Sequence, residues 1–319
     1  MTPAGTIEPR RVHPSTTLIV RSAQVLPVPE KIKVSASSYP ARDVPSHLPA
    51  ASEESCPGQV ADGAWPSVES TAGWGDHPTV VTTGDGSPTL YHPAYQQTYR
   101  SLHGAVAESE HVFLNHSQVV ERFRERQATA VLEIGFGTGL NFQLTAMAAR
   151  HFDAALRFVS IERDLVSAET FQQLWHAYPL GEDPKTVAWG IELRSLLARM
   201  LADGSTDHRG GEDLRHHLDW TPVRLEVIQG DATRIALPPE MFDAIYLDGF
   251  SPPQNPELWT APFLASLAKR LKPGGHLVSF CVQGAVRRAL QDGGLVVQRL
   301  AGPPSGKRHC LVATAPQNP

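Results

Sequence analysis

From residue 130 onward, short runs of β-branched and aromatic residues alternate with longer segments of helical periodicity. Strands that alternate with helices in this way predict parallel βαβ units with right-handed crossovers. The predicted parallel strands span residues 130–134, 157–161, 223–228, 242–247 and 276–282. Helices are predicted at 142–150, 165–177, 263–271 and 283–291. Two further apolar runs, 295–300 and 310–314, predict an antiparallel C-terminal hairpin, which makes seven strands in a mostly parallel α/β sheet.

Two segments depart from this alternation. The first 85 residues hold 11 of the 27 prolines and show little periodicity, so residues 1–84 are predicted to be a disordered extension rich in Pro, Ser and Ala. The α/β domain then covers residues 85–319 and begins with a lead-in at 85–129, in which 112–114 reads as a strand and 118–126 as a helix. A polar insertion at 179–221 contains one predicted helix, 192–201.

A glycine-rich turn follows the first predicted parallel strand. Glu133 is followed by Gly135, Gly137 and Gly139 at alternate positions, and then by a helix. The sixth position of a dinucleotide fingerprint, counted from Gly135, is Leu140 rather than Gly or Ala. The pattern E-x-G-x-G-x-G is typical of Rossmann-like S-adenosylmethionine (SAM) methyltransferases, and the seven-stranded sheet with its hairpin favours the same class. A glycine turn in a cofactor-free α/β protein is the alternative.

Acidic residues follow three other predicted strands. Ligands of doubly wound sheets bind outside the carboxyl ends of the strands, and an acid after the second strand commonly binds ribose hydroxyls. Glu162 holds that position, and Asp231-Ala232 follows the next strand, where it is expected to face the adenine. Asp248 follows the fourth strand at the expected active-site edge. Asp231 and Asp248 could instead cap their own turns.

Charge is unevenly distributed along the chain. The formal net charge is −5, yet the segment from Lys269 to Arg308 contains eight basic residues and only one acid, Asp292. A basic face of this kind indicates a phosphate-bearing partner, although an ordinary solvated surface has the same composition.

Cys56, Cys281 and Cys310 are far apart, which predicts no disulfide framework and no metal site. With no signal peptide and no apolar run approaching ~20 residues, a cytoplasmic protein outside the membrane is expected.

An ordered set of motifs runs from the lead-in to the C-terminal part of the chain. The lead-in motifs are 85–90 (DGSPTL), 99–101 (YRS) and 104–113 (GAVAESEHVF). The loop motifs are 133–142 (EIGFGTGLNF), 247–252 (LDGFSP) and 255–259 (NPELW), and the C-terminal motifs are 286–288 (VRR) and 306–308 (GKR). Together they resemble one known family, the MnmC-like tRNA (5-aminomethyl-2-thiouridine) methyltransferases, in the stand-alone form called MnmD. Gln96-Gln97 departs from the family, whose bifunctional members tend to carry acids there. The chain ends without a flavin domain, so the oxidative step of bifunctional members is not expected.

The resemblance implies SAM-dependent N-methylation of the 5-aminomethyl group of a wobble (2-thio)uridine in the tRNA anticodon stem-loop, with separate enzymes making the precursor. It implies SAM contacts from Glu133, Gly135, Gly137, Gly139, Asn141, Glu162, Asp231 and Ala232. Asp248 is expected to accept a proton or hold the amine. Substrate contacts are expected from Tyr99, Glu108, Phe250, Trp259, Arg287, Arg288, Lys307 and Arg308. Alternatives are a small-molecule amine methyltransferase, an aminopropyltransferase-like enzyme and a SAM-sensing binding protein.

Overall fold

The computed structural model describes residues 78–178, 183–202, 214–237, 241–304 and 306–317. Most of the predicted extension, residues 1–77, and two parts of the predicted insertion lie outside the described residues. The first strand, β1 (Thr79–Thr82), falls inside the predicted extension. Regular structure therefore begins before Asp85, and the predicted boundary at residue 84 is too late.

Two sheets are present in the described part of the chain. The smaller is antiparallel and contains β1, β2 (Pro88–His92) and β3 (Gln97–Thr98). The larger has eight strands in the order β10-β11-β9-β8-β4-β5-β7-β6. Its strands are β4 (Thr129–Ile134), β5 (Leu156–Glu162), β6 (Leu214–Trp220), β7 (Val223–Gln229), β8 (Phe242–Leu247), β9 (Leu271–Ser279), β10 (Val296–Ala301) and β11 (His309–Thr314).

The helices fall between these strands, and a π-helix occupies Ser109–Asn115 in the lead-in. The α-helices are α1 (Ala105–Glu108), α2 (Val119–Arg124), α3 (Leu140–His151), α4 (Ala168–Ala177), α5 (Pro184–Ala202), α6 (Ala261–Ala268) and α7 (Gly284–Asp292). A 3-10 helix covers Pro256–Trp259. Within the described ranges, no helix combines the length and the apolar character that crossing a membrane requires.

The central strands are buried on both sides, which explains their continuous apolar sequences. Every residue of β8 is buried, and five of the six residues of β4 are buried. Strand β4 pairs in parallel with both β5 and β8, so the strand order reverses at β4. In open α/β sheets, this reversal opens a crevice at the carboxyl ends of the strands. The glycine turn, Glu162 and Asp248 all follow strands at this edge.

The fold class predicted from sequence is confirmed, but the sheet has one more strand than predicted. Strand β6 lies in the predicted insertion and pairs antiparallel with β7 at the sheet edge. His216, Leu218 and Trp220 point inward, while His217 and Asp219 are exposed. This alternation is that of a half-buried strand. The charged and histidine residues in this strand obscured the pattern, because His216 interrupts the otherwise apolar inward face.

Two other local predictions were wrong. Residues 112–114 were predicted as a strand, yet they lie in the π-helix with Val112, Phe113 and Leu114 buried. An apolar triplet cannot by itself distinguish a buried strand from a buried helix. A helix was predicted to run to residue 271 and the next strand to begin at 276, whereas β9 already begins at Leu271. Gly274 adopts a positive φ of 75°, and the strand register shifts opposite it, so the glycines form an irregularity within β9.

Candidate active site

A cavity of about 910 Å³, part of which is open solvent, lies at the carboxyl edge of the large sheet. Loops after β4, β5, β7 and β8 form its floor, and the segment around β2 and β3 covers it. The predicted site residues that line it are Tyr99, Glu108, Gly135, Gly137, Glu162, Asp231, Ala232, Asp248 and Phe250. The fold thus brings together residues from five separate parts of the chain.

The glycine turn requires backbone conformations that other residues rarely adopt. Gly135 has a φ of 94°, and a Cβ there would lie 2.7 Å from the carbonyl oxygen of Asp248. Gly137 has a φ of 53°, and a Cβ there would lie 3.0 Å from the ring of Tyr99. The turn therefore passes close to both the β8 loop and the cavity cover. Gly139 does not line the cavity: it is the N-cap of α3 and faces the rings of Phe136 and Trp175.

Glu162 fixes the glycine turn from the neighbouring strand. Its carboxylate accepts hydrogen bonds from the backbone N–H of Gly137 at 2.8 Å and from that of Asp164 at 3.0 Å. Burial raises the pKa of Glu162, although these N–H groups oppose that shift. A carboxylate has about four acceptor positions. Two of them are used here, which leaves capacity for the hydroxyl groups of a ligand.

Asp248 lies at the centre of a buried polar network. It forms an ion pair with Arg100, and each of the two side chains is only 3% exposed. The side-chain amide of Asn141 donates to Asp248 at 2.8 Å and to Glu133 at 3.0 Å. Ser160 donates to the second oxygen of Glu133 at 2.9 Å. Glu133 and Asn141 thus lie behind Asp248 and orient it, and they do not line the cavity.

Burial changes the acidity of this network. It raises the pKa of Asp248 to about 7, against the opposing effect of the Arg100 guanidinium. It also raises the pKa of Glu133 to about 8, with a further contribution from the nearby Asp248. Asp248 and Glu133 share the Asn141 amide as a hydrogen-bond donor and Arg100 as a nearby cation, so the two acids titrate as a coupled set. The carboxyl group facing the cavity can therefore exchange a proton near neutral pH.

Arg100 and Glu108 connect the network to the lead-in. The guanidinium of Arg100 lies 5.6 Å from the centre of the Phe113 ring in the π-helix. Glu108 accepts a hydrogen bond from the backbone N–H of Ser101 at 2.9 Å. Burial raises the pKa of Glu108, and the nearby Arg100 and Lys307 partly oppose that shift. The lead-in therefore supplies both the cation that holds Asp248 and one acidic wall of the cavity.

Four aromatic side chains form a cluster in the cavity that Asp248 also lines. Tyr95 stacks on Phe250 with ring centres 4.3 Å apart, and Tyr99 meets the same ring edge-on at 5.2 Å. His92 lies 5.8 Å from Phe250 and 4.8 Å from Tyr95. All four line the cavity. They present rings beside a buried carboxylate, an arrangement that suits a planar ring carrying a cationic substituent.

Trp259 does not have the position predicted for it. Its ring is 8% exposed and packs 6.1 Å from Phe280, and its indole N–H donates to the carbonyl oxygen of Phe250 at 2.8 Å. It holds the loop after β8 rather than offering a stacking surface. The sequence motifs placed Phe250 and Trp259 in the same segment after β8, but they could not show which of the two rings faces the cavity.

The predicted basic residues lie on α7 and on the turn between β10 and β11. Arg287 is half-buried, whereas Arg288 and Arg308 are exposed. The ammonium group of Lys307 lies 5.2 Å from the centre of the Phe280 ring, which lines the cavity. The positive charge therefore reaches one rim of the cavity through Lys307.

Sequence reasoning missed several residues that shape the site. His92, Tyr95 and Arg100 were not predicted as site residues, although all three lie within seven residues of Tyr99, which was predicted. Gln97 contacts the active-site loop: its side-chain oxygen accepts from the N–H and the hydroxyl of Ser251 at 3.1 and 2.7 Å. Gln97 lies where bifunctional family members tend to carry acids, and in this chain its side-chain amide holds the loop that contains Ser251.

Comparison with known proteins agrees with this geometry. A family model described as S-adenosyl-L-methionine-dependent methyltransferase matches residues 192–316. The bifunctional protein MnmC of Ectopseudomonas mendocina, named for tRNA 5-methylaminomethyl-2-thiouridine biosynthesis, is 36% identical over 218 residues, which are 66% of this chain and 31% of that protein. The protein of the same name from Aromatoleum aromaticum is 33% identical over 239 residues, which are 74% of this chain and 35% of that protein.

A solved structure extends the likeness to the fold. MNMC2 from Aquifex aeolicus superposes with a TM-score of 0.58 at 26% identity, over 77% of this chain and 73% of that one. The chain belongs to the MnmC-like methyltransferase family. It spans about one third of the length of the curated relatives named above, 31% and 35% respectively. The family predicted from the motifs is thereby confirmed.

Proposed function

We propose that this chain transfers a methyl group from SAM to the exocyclic amine of a 5-aminomethyl-(2-thio)uridine at the wobble position of tRNA. The single observation that carries the proposal is the buried carboxyl of Asp248, paired with Arg100 and lining the same cavity as an aromatic cluster. A relative named for 5-methylaminomethyl-2-thiouridine biosynthesis is 36% identical to this chain over 218 residues, which supports the same substrate class. The product would be the 5-methylaminomethyl nucleoside, and other enzymes would supply the aminomethyl precursor in the cytoplasm.

The residues at the floor of the cavity fit SAM. The glycine turn at Gly135 and Gly137 leaves no side chain between the backbone and the cavity, which lets a ligand approach closely. Glu162 retains acceptor capacity for ribose hydroxyls, and Asp231 with Ala232 lines the wall where an adenine would lie. When bound, SAM supplies an electrophilic methyl group on a sulfonium centre.

Asp248 then handles the proton that the reaction must remove. An alkylamine is mostly protonated at neutral pH, by analogy with lysine, and an ammonium has no lone pair to react. The Asp248 carboxylate would bind the ammonium group, take one N–H proton and so leave a neutral amine. Arg100 and Asn141 keep this carboxylate in place and limit its rotation. Much of the acceleration would come from such positioning.

The aromatic cluster and the basic rim provide the contacts for RNA. A wobble base that leaves its stack can lie against Phe250 and Tyr99, because RNA is recognised in single-stranded loops by stacking on aromatic side chains. Lys307 at the cavity rim and the exposed Arg288 and Arg308 would bind phosphates of the anticodon stem. Glu108 would face the sugar or the base edge from the opposite wall.

The test measures transfer of labelled methyl groups from SAM to bulk tRNA from a strain that lacks this gene, followed by nucleoside analysis. We expect label in 5-methylaminomethyl-(2-thio)uridine with the unmodified chain and none with Asp248→Ala. Asp219→Asn is the matched control, because it removes an acid whose side chain is 75% exposed and far along the sheet edge.

Each other outcome identifies a different function. SAM binding without label in tRNA, together with label in free amines, would indicate a small-molecule amine methyltransferase. Preference for decarboxylated SAM would indicate an aminopropyltransferase-like enzyme. SAM binding with no transfer to any amine, and no effect of Asp248→Ala, would indicate a binding protein.

A further inference from the structure

Three side chains of types that can bind a metal converge at a point outside the cavity lining. The ligand atoms of His111, His116 and Cys310 all lie within 4.8 Å of one another. The Nε2 atoms of the two histidines are 3.2 Å apart. The same cluster faces the carbonyl oxygen of Ala301, which lies 2.8 Å from His111 Nε2 and 3.5 Å from Cys310 Sγ. Nothing in the proposed methyl transfer uses these groups.

The π-helix explains how the two histidines meet. In an α-helix, residues five apart point about 140° away from each other, because each residue turns the chain by about 100°. A π-helix forms its hydrogen bonds between residues i and i+5, so residues at this spacing lie above one another. His111 is inside the π-helix Ser109–Asn115, and His116 is its C-cap. Both imidazoles therefore face the start of β11, where Cys310 lies.

The spacing of the two histidine nitrogens fits a tetrahedral ion. Zinc binds imidazole nitrogen at about 2.0–2.1 Å, and two such bonds at the tetrahedral angle put the nitrogens about 3.4 Å apart. The observed 3.2 Å between the histidine nitrogens is close to this value. Two imidazoles and one thiolate are a ligand set that suits zinc, whereas magnesium and calcium prefer oxygen.

We propose that His111, His116 and Cys310 bind one zinc-class divalent ion, with the fourth position left to the Ala301 carbonyl oxygen or a water. Binding would release the thiol proton of Cys310 to solvent, since the thiolate is the ligand. The ion would join the π-helix to the ends of β10 and β11. Those elements flank the turn that carries Lys307 and Arg308, and the π-helix directly follows Glu108. Bound metal would thus fix two walls of the cavity relative to each other.

The test uses Co²⁺ as a spectroscopic probe for zinc on the full chain without a histidine tag, after removal of metal by chelation. We expect one equivalent of Co²⁺ to produce the intense visible bands of tetrahedral cobalt and a thiolate-to-cobalt charge-transfer band, both abolished by Zn²⁺. Cys310→Ser should remove the charge-transfer band. Cys281→Ser and Cys56→Ser, which replace the other two cysteines, should retain it.

A second pair of variants covers the case in which Cys310→Ser does not fold. His111→Gln and His116→Gln alter half-buried side chains and should each weaken Co²⁺ binding at least about tenfold. His176→Gln, at the end of α4, should bind Co²⁺ as the unmodified chain does. Absence of a charge-transfer band, its survival in Cys310→Ser, or unchanged affinity in both histidine variants would each overturn the proposal and leave a hydrogen-bonded trio without a metal.

Discussion

The pKa of Asp248 predicts how the methyl-transfer rate depends on pH. Burial raises this pKa to about 7, and Arg100 opposes the shift. If Asp248 accepts the amine proton, then only its ionised form is active. A group with a pKa of about 7 is ionised to about one tenth at pH 6 and about nine tenths at pH 8, so the specificity constant kcat/KM should rise about tenfold over that range and then level off.

The assay is the initial rate of methyl transfer to tRNA between about pH 5.5 and pH 8.5, at constant ionic strength. Both substrates are kept below their KM values, because kcat/KM reports ionisations of the free protein. The amine of the substrate, with a pKa near ~10 by analogy with lysine, does not change its protonation appreciably in this range. The inflection therefore belongs to the protein.

Two variants separate Asp248 from other titrating groups. Asp248→Asn should lower the rate by about 10²–10⁴-fold, the usual contribution of a general base, and should remove the inflection. Asp219→Asn, on the exposed face of β6, should keep the full profile. A rate that still rises with unit slope beyond pH 8 in the unmodified chain would refute the reasoning, since it would show that the neutral amine is taken from solution.

Three further perturbations follow from the site geometry. Burial raises the pKa of Glu133 from 4.5 to about 8, so its contribution to stability is full below pH 4.5 and is lost as the pH rises through about 8. Glu133→Gln should therefore flatten the decline in urea midpoint between about pH 5 and pH 8. Tyr95→Ala removes the ring stacked on Phe250 and should raise the KM for tRNA by roughly 5- to 150-fold, with SAM affinity by calorimetry as the control. Gly137→Ala forces a left-handed conformation and a contact with the Tyr99 ring, so it should cost about 1–2 kcal/mol of unfolding free energy by urea titration and weaken SAM binding.

The parallel core of the fold was predictable because burial there leaves a direct trace in the sequence. Strand β8 is apolar at almost every position and was predicted with its observed bounds. Strands β4 and β7 were predicted to within one residue at either end. Strand β6 was not predicted, because a strand at the sheet edge needs apolar residues only at alternate positions, and His216 occupies one of these positions.

The candidate site was predictable only where its residues follow strands. Gly135, Glu162 and Asp248 occupy strand ends, and the sheet brings strand ends together whatever the loops do. Arg100 comes from the lead-in, and no periodicity relates it to the strand that carries Asp248. The histidines at 111 and 116 were also missed as a pair, because their spacing separates them on any α-helix and unites them only on a π-helix.

That π-helix holds one residue more than an α-helix would use over the same turns. Asn115 ends the π-helix and is exposed, so many side chains are acceptable there. Deleting this residue would place His111 and His116 four residues apart, a spacing at which two side chains share one face of an α-helix. The same histidine pair can therefore arise from two lengths of this segment, five residues apart on a π-helix or four apart on an α-helix. A relative with one residue fewer here should keep the pair and lose the π-helix.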